Sequence, residues 1–193
     1  MKLLQIAAVA ACLVAPAVLR ADDKKSEYAD GEEGLKKLVT DMMDAAKAKD
    51  KDKLDKLAAS LVLADPDAYF KKLFAEKGAP VAEGYTKHKD EIAKELPKLF
   101  NQAVEKNRTA IKIIKAEGGE ATGAQKSATE AMKEKVTLWT VGLGEEGKGA
   151  GLKLWSFAYV DGAWKFIGKL RELGGRGGEK SGDAPAPKEP KEK

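Results

Sequence analysis

Asp161-Gly162 separates two runs of alternating residues, Leu152 to Val160 and Ala163 to Leu170. An Asp-Gly pair between such runs favours a type I′ hairpin, because that turn needs positive φ at both central positions. A two-residue turn pairs Val160 with Ala163, and the period of two then assigns every side chain to a face. Tyr159 is expected opposite Trp164, Phe157 opposite Phe166 and Trp155 opposite Gly168, all on one face. Leu154, Ser156 and Ala158 share the other face with Lys165, Ile167 and Lys169. The aromatic face is expected to pack on helices, with Gly168 leaving room for the Trp155 indole.

Those helices occupy the first half of the folded region. Leu35, Leu38, Val39, Met42 and Ala46 recur at helical spacing, and Leu54, Leu57, Ala58 and Leu61 continue the pattern in a second helix. Asp65-Pro66 is a cap followed by proline at the first helical position, so a third helix starts there, with Gly78 and Pro80 ending it. Val81, Tyr85, His88, Ile92 and Leu96 mark one face of a longer helix that Pro97 kinks or restarts. Beyond it the period changes. Thr109 to Lys115 reads as a strand, Thr122-Gly-Ala-Gln125 and Ser127-Ala-Thr-Glu130 both fit capping-box spacing, and Val136 to Leu143 is the strand before the hairpin. The fold class is therefore α+β: N-terminal helices packed on a curved antiparallel sheet of about four strands.

The two ends of the 193-residue chain read differently. Met1-Lys2, the apolar run Leu3 to Leu19 and the small residue Ala21 have the layout of a secretory signal peptide over residues 1–21. The run falls short of the ~20 residues of a membrane span and contains Pro16, so no stable span is expected after cleavage. The protein is expected to be exported, periplasmic or secreted. Cys12 follows Val9-Ala10-Ala11 as in a lipobox, which offers lipid anchoring as the less favoured alternative. Residues 22–34 read as a flexible leader and residues 35–173 as a single domain. Residues 174–193 carry no large apolar residue and read as a disordered tail rich in Gly, Pro, Lys and Glu.

The aromatic strand, the Asp-Gly turn and the Trp164-Lys-Phe-Ile167 run resemble the closing hairpin of the nuclear-transport-factor-2-like superfamily, the cystatin-like roll shared with ketosteroid isomerases. The resemblance implies a cone between sheet and helices and an exported member of that superfamily. It specifies fold far more than activity.

Composition narrows the chemistry. One Cys and one His leave no basis for a disulfide framework or a His/Cys metal site, and no cofactor or metal is expected. Lys and Arg total 35 against 31 Asp and Glu, interleaved along the helices, which describes solvated faces and argues against nucleic acid. Gly142-Leu-Gly-Glu-Glu-Gly147 matches a dinucleotide fingerprint, but a strand rather than a helix is expected to follow it. His88 is the only conventional base near neutral pH, and it reads as a half-buried packing residue with no catalytic partner at any fixed spacing. No catalytic residue is assigned. The candidate ligand pocket comprises Tyr69, Tyr85, His88, Trp155, Tyr159 and Trp164. The reading is an exported non-enzymatic domain that binds a small apolar ligand or a protein partner. An isomerase- or hydrolase-type enzyme using the same cone and an envelope structural or interaction protein are the alternatives.

Overall fold

The computed structural model describes residues 27–168 and residue 170. The proposed signal peptide and the tail over residues 174–193 lie outside these residues. Five α-helices and four strands run in the order α1 Glu32–Ala48, α2 Lys51–Ser60, α3 Pro66–Phe74, α4 Gly78–Glu105, β1 Ala110–Lys115, α5 Gly123–Ala131, β2 Trp139–Gly144, β3 Ala150–Val160 and β4 Ala163–Phe166. The strands form one antiparallel meander in sequence order, so the architecture is α+β. Among the described residues no helix is long and apolar enough to cross a membrane.

Side-chain caps start α2, α3 and α5; those at Asp65 and Thr122 are the ones expected from the sequence. Asp50 accepts a hydrogen bond from the Lys53 N–H and Asp65 from the Ala68 N–H, both 3.0 Å. Each satisfies a backbone donor that has no partner within its own helix. Thr122 and Gln125 form a reciprocal capping box at α5. Ser127 and Glu130, with the same spacing, lie inside that helix.

The joint between α3 and α4 differs from expectation. Gly78 and Pro80 do not end α3; they open α4, with a single 3-10 turn over Ala75–Lys77 between the two helices. Proline in a first helical turn costs no hydrogen bond, since its missing N–H would have had no partner there. Pro97 lies buried within α4, which runs through it to Glu105 without a restart. Ala75 has φ 51° and ψ −127°, a backbone region that suits glycine. Ala75→Gly is therefore expected to stabilise the protein by about 1 kcal/mol, raising Tm by ~2–4 °C. A lower Tm in a thermal melt would contradict this.

The hairpin follows the expected register near its turn. Asp161 has φ 47° and Gly162 φ 80°, the signature of a type I′ turn. Val160 pairs with Ala163, Tyr159 with Trp164 and Phe157 with Phe166. The pattern then breaks. Trp139 of β2 pairs with Phe157 of β3, but Val141 pairs with Leu154, so Trp155 and Ser156 together oppose Thr140. This is a β-bulge, with Ser156 at φ 64°. The extra residue reverses the alternation. Leu154 joins Phe157 and Trp164 in the core, and Trp155 turns to the opposite face, where the Lys153 ammonium lies 5.4 Å from its ring centroid. Trp155 does not face Gly168, because β4 ends at Phe166.

Helices cover both faces of the sheet. On one, Trp164, Phe157, Val141, Leu143 and Leu154 pack with Leu35, Leu38, Met42, Leu54, Leu96 and Phe100 from α1, α2 and α4. On the other, Ala158 and Ile167 pack with Phe70, Leu73 and Phe74 of α3, Val81 and Tyr85 of α4, and Ala128 of α5. A buried hydrogen bond from Gln125 Nε2 to Thr140 Oγ1, 3.1 Å, ties α5 to that second face. Lys165, expected on the face opposite the aromatic one, is half-buried, and its ammonium donates to the Ser60 and Val62 carbonyls at 2.7 and 3.2 Å. It thereby satisfies the carbonyl of the last α2 residue, which the helix cannot, and that of Val62 just beyond it.

The described segment ahead of α1 is attached to the domain. The Tyr28 hydroxyl donates to Asp41 at 2.9 Å, and the Ala29 carbonyl accepts the Trp164 indole N–H at 3.0 Å. Helix α1 itself begins three residues ahead of the expected boundary at Leu35.

Candidate functional site

The volume between the helices and the aromatic face is occupied by the protein's own side chains. Phe100 is fully buried, Phe157 is 1% exposed and Trp164 is 2% exposed. Trp164 meets Trp139 and Tyr159 edge to face, with centroids 6.4 and 5.4 Å apart. The open space lies elsewhere.

A half-open cleft of about 510 Å³ lies between α3 and the β3–β4 hairpin. Four segments build it. Leu63, Ala64 and Asp65 come from the α2–α3 connection, and Ala68, Tyr69, Lys72 and Leu73 from α3. Glu134 and Val136 follow α5, and Tyr159, Val160, Asp161, Ala163 and Lys165 belong to the hairpin. The lining combines aliphatic residues with two tyrosines and five charged residues, Asp65, Lys72, Glu134, Asp161 and Lys165. Asp65 is engaged as the α3 cap, and Lys72 and Glu134 pair at 3.5 Å.

Three groups in or beneath the cleft have displaced proton affinities. The Tyr69 hydroxyl is buried without a hydrogen-bond partner. Burial first, and then the Asp161 carboxylate and Tyr85, push its pKa well above the usual phenol range. Tyr85 is also raised by burial, opposed by the Leu63 N–H that donates to its oxygen at 3.0 Å. Its hydroxyl in turn donates to the Phe166 carbonyl at 3.2 Å. Burial lowers the pKa of Lys165, against the attraction of Asp161.

Tyr69 thus favours the fold in its neutral form. Its contribution is complete below pH ~10, the unfolded phenol value, and is lost as pH rises from there toward the folded pKa. Tyr69→Phe is expected to reduce the loss of stability above pH ~10 without abolishing it, because Tyr28 and Tyr85 are raised as well. At neutral pH it removes a buried hydroxyl with no acceptor, for a gain of up to ~1 kcal/mol. Urea titrations at several pH values test both parts; an unchanged alkaline slope would remove Tyr69 as a cause.

The cleft brings together two of the six candidate residues, Tyr69 and Tyr159. Tyr85 and His88 lie along a second groove between α4 and the end of β4. Trp164 is a core residue, and Trp155 sits half-buried on the opposite sheet face. The His88 side chain is 66% exposed, and its Nδ1 lies 2.9 Å from Glu91 Oε2. It is not a half-buried packing residue, because the stripe it continues on α4 meets this open groove. The glycine motif over residues 142–147 spans the end of β2 and the β2–β3 turn, without the helix a pyrophosphate needs. Among the described residues no group of three or more His, Cys, Asp or Glu could hold a metal ion. Sequence reasoning missed Leu63, Leu73, Val136, Val160 and Lys165. The Asp65-Pro66 start of α3 and the Asp161-Gly162 turn were the signals near them, and neither marks a cleft. Comparison of the chain with protein-family models, curated proteins and solved structures finds no match.

Proposed function

We propose that the protein is a non-enzymatic binding domain whose cleft between α3 and the β3–β4 hairpin takes a small apolar ligand. The observation that carries this reading is the cleft itself, about 510 Å³, lined by seven aliphatic residues and two tyrosines beside five charged residues. Its size suits a small molecule, and three of its five charged residues are already engaged within the protein: Asp65 as the α3 cap, and Lys72 with Glu134 as an ion pair. Binding there would exchange water over Leu63, Leu73, Val136 and Val160 for ligand surface, favourable at ~25 cal/mol per Å² removed from water. The cone implied by the nuclear-transport-factor-2-like resemblance is a less suitable seat, because Trp164, Phe157 and Phe100 fill that volume. The apolar N-terminal run supports export as the setting in which the domain works.

The test is binding of a solvatochromic apolar dye to the full chain, measured by fluorescence titration. Ala68 lines the cleft from an exposed position on α3, so Ala68→Trp inserts bulk into it while sparing the core. The variant is expected to weaken the dye by about tenfold, ~1.4 kcal/mol, with Tm nearly unchanged. Equal affinity in parent and variant would reject the cleft as the seat.

A further inference from the structure

The groove along α4 has a volume of about 430 Å³. Val81, Tyr85, His88 and Ile92 supply one wall, and Phe166 and Leu170 lie on the other. The described chain reaches this groove at its end. Gly168 has φ 81° and Leu170 φ 49°, neither the extended backbone of a strand. The Leu170 side chain is 4% exposed and belongs to the same apolar cluster as Val81 and Tyr85.

The sequence continues Arg171-Glu172-Leu173, and Leu173 is the one large apolar residue between residues 171 and 193. We propose that Leu173 fills this groove, folding the segment over residues 171–173 back onto α4 beside Tyr85 and Ile92. Three residues reach up to ~10 Å. That matches the rise of about 10 Å over the seven residues from Tyr85 to Ile92 at 1.5 Å each. Leu173 therefore reaches any part of the groove from Leu170, while Arg171 and Glu172 keep their charges in water.

Docking of Leu173 makes this groove part of the domain and sets it apart from the ligand cleft under α3. Tyr85 and His88 then serve the attachment of the chain's own segment.

Three full-length variants and two truncations test this. A chain ending after Gly174 is expected to melt with the full chain, whereas one ending after Leu170 is expected to melt about 5 °C lower. Leu173→Asp in the full chain is expected to reproduce that drop. Proximity is tested independently of folding stability by disulfide trapping in a Cys12→Ser background. Gly84→Cys with Leu173→Cys is expected to cross-link much faster than Gly84→Cys with Ala184→Cys. Equal Tm values for the full chain and Leu173→Asp, or equal cross-linking rates for the two cysteine pairs, would overturn the proposal.

Discussion

Trp164→Ala is expected to lose ~3–5 kcal/mol of folding free energy, a large part of the ~5–15 kcal/mol that holds a typical domain together. Trp164 is among the largest fully buried side chains and stands at the meeting of three parts of the fold. Across the hairpin it contacts Tyr159, across the sheet it contacts Trp139, and its indole N–H reaches the Ala29 carbonyl ahead of α1. Truncation removes the edge-to-face contacts, leaves a cavity that the surrounding helices close only in part, and frees the Ala29 carbonyl. Trp164→Phe keeps most of the apolar bulk and loses the hydrogen bond, so a cost of about 1–2 kcal/mol is expected. Lys165→Ala, one residue on, removes donors from two carbonyls at and just beyond the end of α2 and is expected to cost about 1–2 kcal/mol. Urea denaturation of the three variants ranks them. A loss below ~1.5 kcal/mol for Trp164→Ala would mean that the site collapses readily and that the hairpin is not anchored through this ring.

The hairpin shows what local chemistry can dictate and where it stops. Asp161-Gly162 sets the turn, and the turn sets the pairing of residues 157–160 with residues 163–166, because every step is a nearest-neighbour constraint. The bulge at Trp155 and Ser156 has no such local origin. Leu154 and Trp155 are both apolar, so the sequence satisfies either face at that point. The choice is made by β2, whose Thr140 sits against Gln125 of α5 while Val141 and Leu143 enter the other core. The cap residues Asp65 and Thr122 were legible for the same reason as the turn: each acts on its own first helical turn. The cleft was not legible. Its walls come from residues 63–73, residues 134–136 and the hairpin, and small aliphatic residues from distant segments carry no spacing signal. Choosing candidates by aromatic character selected Trp164, which fills the core, and Trp155, which the bulge turns away.

The joint between α3 and α4 concentrates another large effect on a residue without a side chain. A Cβ added at Gly78 would lie 2.2 Å from the Phe70 carbonyl oxygen and 2.7 Å from the Lys71 nitrogen. Both are backbone atoms within α3, so no side-chain rotation relieves the overlap; the two helices must move apart. Phe70 is fully buried, stacks on Phe74 at 6.2 Å and meets Tyr85 edge to face at 5.6 Å. Tyr85 in turn bridges the Leu63 N–H and the Phe166 carbonyl, joining the α2–α3 connection to β4. Displacing α3 therefore loosens the apolar cluster on the second sheet face and the hydrogen bonds that close it. Gly78→Ala is expected to cost about 3 kcal/mol, although alanine normally gains up to ~1 kcal/mol over glycine in a helix. Gly119→Ala is the control: an added Cβ there meets nothing within 4 Å, and a change within ~0.5 kcal/mol is expected. Because α3 also carries Ala68, Tyr69 and Leu73 into the cleft, Gly78→Ala is expected to weaken dye binding even at temperatures where the protein stays folded. A fully stable Gly78→Ala protein would show that α3 yields to a methyl group without cost, and the close helix contact would lose its role in shaping the cleft.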